Sequence, residues 1–274
     1  NYVPVARRFL ARSFGSQPPC LENLVVADIS RFLRRDLTAF SPGRVQLAVT
    51  GLRSFLGYLH LRGRLAAPLA QAVPAVAARR SPELPRFLEP EQVLQLLHSC
   101  DRGSARGRRD YAVLMLLARL GLRSGEVVHL CLEDINWVDG EVLVRGKSSR
   151  IDRLPLPAAV GRALASYLRR DRPPCASRRV FIRMKAPHVG FSSSVAVGDI
   201  VRRAFRQTGL RPATGKGVQL LRHSLATRML RGGASMTQIS QILMQQLPQT
   251  TEIYAKVDLA ALRALAQPWP GGVR

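Results

Sequence analysis

Acidic residues are scarce in this sequence. Only 18 Asp and Glu stand against 42 Lys and Arg in 274 residues, a formal charge of +24. Such an imbalance points to a polyanion partner, most simply nucleic acid. A solvated basic surface and an anionic membrane patch are the competing readings. The charge is not confined to a tail: residues 1–85 hold 12 basic and 4 acidic residues, and the rest hold 30 and 14. Binding of this ionic kind weakens steeply with salt. Cysteine is also rare. Cys20, Cys100, Cys131 and Cys175 lie far apart with no Cys-x-x-Cys pair. That speaks against a metal site or a disulfide framework and favours a reducing cytoplasm as the setting. Long apolar runs are missing. The longest, Tyr111 to Ala118, is far below the ~20 residues that span a bilayer. No internal repeat or low-complexity tract is present. The chain opens at Asn1 with neither a methionine nor a signal-like segment, so the natural N-terminus is expected upstream.

What is present suits a globular protein of two domains, with 46 % apolar residues. Residues 1–67 read as helices. Tyr2–Phe14 carries Val5, Phe9 and Leu10 on one face. Asp28–Leu37 turns Ile29, Phe32 and Leu33 inward and Arg31, Arg34 and Arg35 outward. Ser41-Pro42 is a cap followed by proline, a good helix start. The helix it opens runs to about Leu61, with Leu52, Phe55, Leu56 and Leu59 at helical spacing. Ala72–Pro85, rich in proline, is the natural linker. The expected division is a helical domain at 1–78, a linker at 79–87 and a second domain at 88–274.

The second domain should open with a helix from Glu89-Pro90-Glu91 to Ser99, then one over Arg108–Leu120 that stops at Gly121. Ile135–Val138 and Glu141–Val144 flank Asp139-Gly140, a strong hairpin signal. A turn at Lys147–Arg150 leads into Ile151–Leu156. Helices follow over Pro157–Arg170, Val195–Thr208, Gln219–Arg231, Met236–Met244, Thr250–Val257 and Asp258–Ala266. The fold expected is mainly α (α+β), with a small three-stranded antiparallel sheet.

Four short stretches carry candidate chemistry. Gly121-Leu122-Arg123-Ser124-Gly125-Glu126 puts an arginine at a helix N-terminus, a place suited to anions. Gly146-Lys147 sits at a strand end. Leu221-Arg222-His223-Ser224-Leu225-Ala226-Thr227 opens an amphipathic helix. Thr250-Thr251-Glu252-Ile253-Tyr254 places a tyrosine on a short helix. Singly, each has an ordinary reading: a capping arginine, a turn lysine, a core tyrosine, and a His223 that packs or bonds locally.

Together, in this order and at these separations, the four resemble the tyrosine recombinase (phage integrase) family. The resemblance is strong over about residues 88–266 and looser over the N-terminal helices. It implies an N-terminal core-binding domain and a catalytic domain forming a clamp around duplex DNA, and strand exchange through a 3′-phosphotyrosyl intermediate. Tyr254 would be the nucleophile. Arg123 and Arg222 would grip the scissile phosphate, Lys147 would protonate the leaving 5′-oxygen, and Glu126 would orient its neighbours. Planar guanidinium forks match phosphate oxygens in two-point contacts. No cofactor and no metal are called for. A proton donor cannot be arginine, whereas lysine shifts its pKa readily; one of only four lysines, Lys147, falls in the hairpin. The implied assembly is a DNA-bound tetramer of like or paired subunits on the nucleoid, with the tail around Leu259, Leu262 and Leu265 docking on a neighbour or closing its own core.

The chain departs from the family at two positions. Histidine is usual three residues before the second arginine and nine before the tyrosine. Here those positions are Gln219 and Gln245. A glutamine amide can donate to phosphate but cannot exchange a proton near neutral pH. Weakened acid–base help with intact phosphate binding is expected. A slow natural enzyme, a subunit specialised for binding and a chain altered to trap a complex all fit. A weak DNA-binding or regulatory protein on the same scaffold is the alternative function, and RNA binding through generic charge is a distant third.

Overall fold

The computed structural model describes residues 2–38, 40–75, 86–146, 151–212 and 217–244. The chain divides into two compact units, Asn1–Pro82 and Glu83–Arg274.

In the first unit three α-helices enclose one core: α1 (Val3–Phe14), α2 (Val26–Asp36) and α3 (Pro42–Leu61). Phe9 of α1 meets Phe32 of α2 edge to face, with ring centroids 5.4 Å apart. Leu52, Leu56 and Leu59 of α3 close the core, as their spacing predicts. Arg31, Arg34 and Arg35 are exposed, also as predicted. The cap before α3 works through the backbone: the Ser41 carbonyl accepts from the Arg44 and Val45 amides at 2.8 and 2.9 Å. Asp36 is buried at the end of α2, and Arg8 and Arg12 both reach it at 3.1 Å. The carboxylate is thus paired twice, which buried charge requires. Val73, at the start of the proline-rich stretch, is buried in this core.

The second unit is built around α5 (Ala105–Arg119), whose residues Ala112 to Ala118 are all buried. Around it stand α4 (Pro90–His98), α6 (Ser124–His129), α7 (Ala158–Arg170), α8 (Ser194–Thr208), α9 (Gly217–Arg231) and α10 (Met236–Ile242). Its antiparallel sheet, in order β1-β2-β3, is β1 (Ile135–Asn136), β2 (Glu141–Arg145) and β3 (Ile151–Pro155). Val142, Val144 and Leu154 face the core and their neighbours face out, the alternation a half-buried sheet requires. Phe87 and Leu88 already belong here. The Arg231 guanidinium lies over Phe87, and the Leu88 amide donates to Ser224 Oγ at 2.7 Å.

Two local expectations change. The first hairpin turns over four residues, not two: β1 pairs Ile135 with Val142 and Asn136 with Glu141, and Trp137 and Val138 are exposed in the turn. The Asn136 amide oxygen accepts from the Val138 and Asp139 amides, both at 3.1 Å, and satisfies them locally. The helix expected from Arg108 starts at Ala105, because Ser104 Oγ accepts from the Gly107 amide at 3.1 Å. Residues 171–193, without periodicity, are fixed by tertiary contacts. Tyr167 stacks on Phe181 and Phe181 on Phe191, while Arg109 donates to the Ile182 carbonyl and lies over Phe191.

Gly107 gives a stability test. A β-carbon there would overlap the Asp101 carbonyl oxygen, a backbone atom that cannot swing aside, and would lie 2.9 Å from Ser104 Oγ. Gly107→Ala is expected to cost about 3 kcal/mol, the upper end for forced overpacking. Denaturant titration checks it: the midpoint falls with the slope unchanged, and an unmoved midpoint refutes the argument.

Candidate active site

The site begins where α5 ends. Gly121 has φ +64°, a left-handed turn that glycine adopts without strain. A β-carbon there would also sit 2.7 Å from Leu243 Cδ2 and 3.0 Å from Leu225 Cδ2. The turn lets Leu122 drop fully into the core and delivers Arg123 to the position just before α6. There Glu126, buried, clips Arg123 twice: one carboxylate oxygen accepts from the Arg123 amide and the other from its guanidinium, each at 2.7 Å. The carboxylate caps the first turn of α6 and aims the arginine at once. The Arg123 side chain remains 46 % exposed, so it can meet a ligand.

Arg222 approaches the same loop from α9. It is 7 % exposed and donates from one guanidinium nitrogen to the Gly121 carbonyl and from another to the Leu243 carbonyl. Gly121 lies two residues before Arg123, so two boxes some hundred residues apart in sequence meet at one loop. Leu243, just past α10, is where the chain runs on toward Gln245 and Tyr254. Gln219 is exposed one turn before Arg222 on α9. Lys147, Gln245, Tyr254 and the tail leucines lie outside the described residues. Lys147 follows β2 in sequence, before β3 resumes with Ile151 paired to Arg145.

Sequence reasoning missed two participants. The Gly121 and Leu243 carbonyls carry no side-chain signal, and their role appears only once α5, α9 and α10 are packed. His223 was read as a local packing residue. It is half-buried, and burial first, then the Arg222 charge, push its pKa below the ordinary value of 6.5. The unfolded chain therefore takes up this proton before the folded one does. The resulting stability is present above about pH 6.5 and lost as pH falls toward the lower folded value. The melting temperature is expected to drop more between pH 7.5 and 5.5 than in His223→Gln; parallel slopes refute this.

Among the described residues no three His, Cys, Asp or Glu side chains gather as a metal site would need. No helix there is long and apolar enough to cross a membrane.

The chain belongs to the phage integrase family, whose model matches residues 86–260. It is 50 % identical to the integrase/recombinase y4rA of Sinorhizobium fredii over 99 % of this chain and 66 % of that protein. It is 34 % identical to the tyrosine recombinase XerD of Mycobacterium tuberculosis over 86 % of this chain and 74 % of that one. The chain thus spans two thirds or less of the first Sinorhizobium relatives it matches. Its fold matches the XerH site-specific recombinase bound to a palindromic difH substrate, with TM-score 0.75, 20 % identity, and coverage of 94 % of this chain and 76 % of that one. The mainly helical architecture with a small antiparallel sheet is therefore that of the family.

Proposed function

We propose that this protein is a site-specific DNA recombinase that cuts and rejoins duplex DNA through a 3′-phosphotyrosyl intermediate. The observation that carries the reading is that Arg222 binds the carbonyl of Gly121, two residues before Arg123 in the same turn. Arg123 is aimed by Glu126, and Arg222 is held on two backbone carbonyls. Two fixed guanidinium groups suit the charge that spreads over a phosphodiester under attack. Tyr254 supplies the nucleophile, and Lys147 protonates the leaving 5′-oxygen. A protein ester conserves the energy of the broken bond, so ligation needs no ATP. The partner is duplex DNA, bound by a tetramer of like or paired subunits. The setting is the cytoplasm, on the nucleoid.

A trap tests the reading. The protein is given a duplex that it has enriched from a random-sequence pool, nicked close to the cleavage point so that religation fails. A covalent complex that survives detergent supports the recombinase. Binding without any complex supports instead a DNA-binding protein on the same scaffold, the reading that Gln219 and Gln245 favour. Histidine at both positions is expected to raise the rate of complex formation about 100-fold, the lower bound of what acid–base help supplies. No gain would show that glutamine is not limiting.

A further inference from the structure

A cavity of about 300 Å³ opens in the second unit between the start of α4, the end of α5 and the second half of α9. That is the small end of the range for ligand sites. Phe87, Leu88, Val93 and Leu225 give it apolar walls. Some of its polar groups are satisfied within the protein. Ser224 Oγ accepts from the Leu88 amide at 2.7 Å and donates to the Leu220 carbonyl at 2.8 Å. Glu89, the acid among the lining residues, holds Arg231 at 2.8 Å. Three groups are not satisfied. Arg119 lies in the last turn of α5 and Arg228 in the last turn of α9. Both line the cavity, and among the described residues neither guanidinium has a hydrogen bond or an ion pair. Helix C-terminal ends favour cations, which keeps the two in place without discharging them. They also oppose each other: partial burial first, then the Arg119 charge, lower the Arg228 pKa. The third group is Thr227, another lining residue. It is 1 % exposed, and its Oγ1 has no hydrogen-bond partner. A helical threonine commonly turns its hydroxyl to the carbonyl one turn back. A buried hydroxyl that does not is costly, and valine would fill the same space without the cost.

We propose that this cavity binds a small amphipathic acid, a single carboxylate on a hydrocarbon body. The carboxylate answers the charges of Arg119 and Arg228, which suit it as planar donors, and accepts from the Thr227 hydroxyl. The hydrocarbon lies against Phe87, Leu88, Val93 and Leu225 and leaves water. Each half is needed. Inorganic phosphate meets the charges and wastes the apolar walls, and an alcohol does the reverse. The site is independent of the recombinase reading, since none of its groups is assigned a part in strand cleavage.

Octanoate is the probe, titrated into the whole protein without DNA and followed by calorimetry and by melting temperature. It is expected to fill one site and to raise the melting temperature. Acetate, octanol and inorganic phosphate at the same concentration should do neither. Arg228→Gln, at an exposed position, removes one of 42 basic residues and is expected to weaken octanoate at least about tenfold, the worth of one hydrogen bond to a charged group. Thr227→Val keeps the side-chain shape. It should melt at least as high as the unsubstituted protein when octanoate is absent, and bind octanoate at least about tenfold more weakly. Octanoate affinity unchanged in either variant overturns the proposal, because diffuse attraction to a basic surface would behave that way. A lower melting temperature of Thr227→Val without octanoate overturns it too, by showing that the hydroxyl is already partnered. So does octanol or phosphate binding as tightly as octanoate. Absence of octanoate binding also overturns it, and if a synthetic peptide of residues 258–270 binds instead, the cavity seats a segment of chain.

Discussion

Tyr254→Phe is expected to leave the protein bound to its duplex and to remove the covalent complex altogether. The substitution deletes one oxygen and keeps the ring, so packing and charge barely change. Among the described tyrosines of the second unit, none is placed to take over. Of the five in the chain, Tyr2 and Tyr58 belong to the first unit, not to the one that holds Arg123 and Arg222. Tyr111 lies in α5, partly buried with the Arg102 guanidinium over its ring. Tyr167 is fully buried, and its hydroxyl accepts from the Ile182 amide at 3.2 Å. Losing the proposed nucleophile should bring cleavage to background while affinity stays within about twofold, since ionic binding rests on phosphate contacts. A detergent-resistant complex in the Tyr254→Phe protein would refute the assignment. Peptide mapping of the complex formed by the unsubstituted protein should find the DNA on Tyr254.

Arg222→Lys comes next in size and strikes two properties at once. The guanidinium spans two carbonyls from different elements, Gly121 at the end of α5 and Leu243 past α10. An ammonium is a point charge without the planar fork, and it cannot hold both while presenting a flat pair of donors to phosphate. Loss of one preorganised donor costs about 10²–10³-fold in rate, and cleavage should fall by at least that. Stability falls as well. At 7 % exposure the lost charge-assisted bond leaves a buried carbonyl unsatisfied, at about 1.5–3 kcal/mol. For a unit of this size that lowers melting by roughly 3–12 °C. Calorimetry and single-turnover cleavage on the same preparation check both halves. Normal melting with lost cleavage would mean that Arg222 serves phosphate alone and the carbonyl contacts are incidental.

Much of the architecture could be read in advance because it rests on local rules. Ser41-Pro42 starts α3 where a cap and a fixed proline angle require it, and Leu52, Leu56 and Leu59 face inward because a helix repeats every 3.6 residues. Gly121 ends α5 because only glycine adopts its backbone angle at no cost. Errors arose where a side chain or a distant element overrode the local signal. Asn136 widened a turn that Asp139-Gly140 alone would have kept tight. Ser104 pulled the start of α5 three residues forward. Tyr167, Phe181 and Phe191 ordered a stretch that has no pattern of its own.

The site divides along the same line. The resemblance carried by the four short boxes marked Arg123, Glu126 and Arg222 as partners, because the kinds of side chain that suit a phosphodiester are few. The missing histidines at Gln219 and Gln245 were equally plain. Only the folded chain decided that Glu126 grips Arg123 by both amide and guanidinium and that Arg222 spans two carbonyls. Those are through-space relations among backbone atoms and buried charges. They depend on how α5, α9 and α10 pack, and no residue type announces them along the chain.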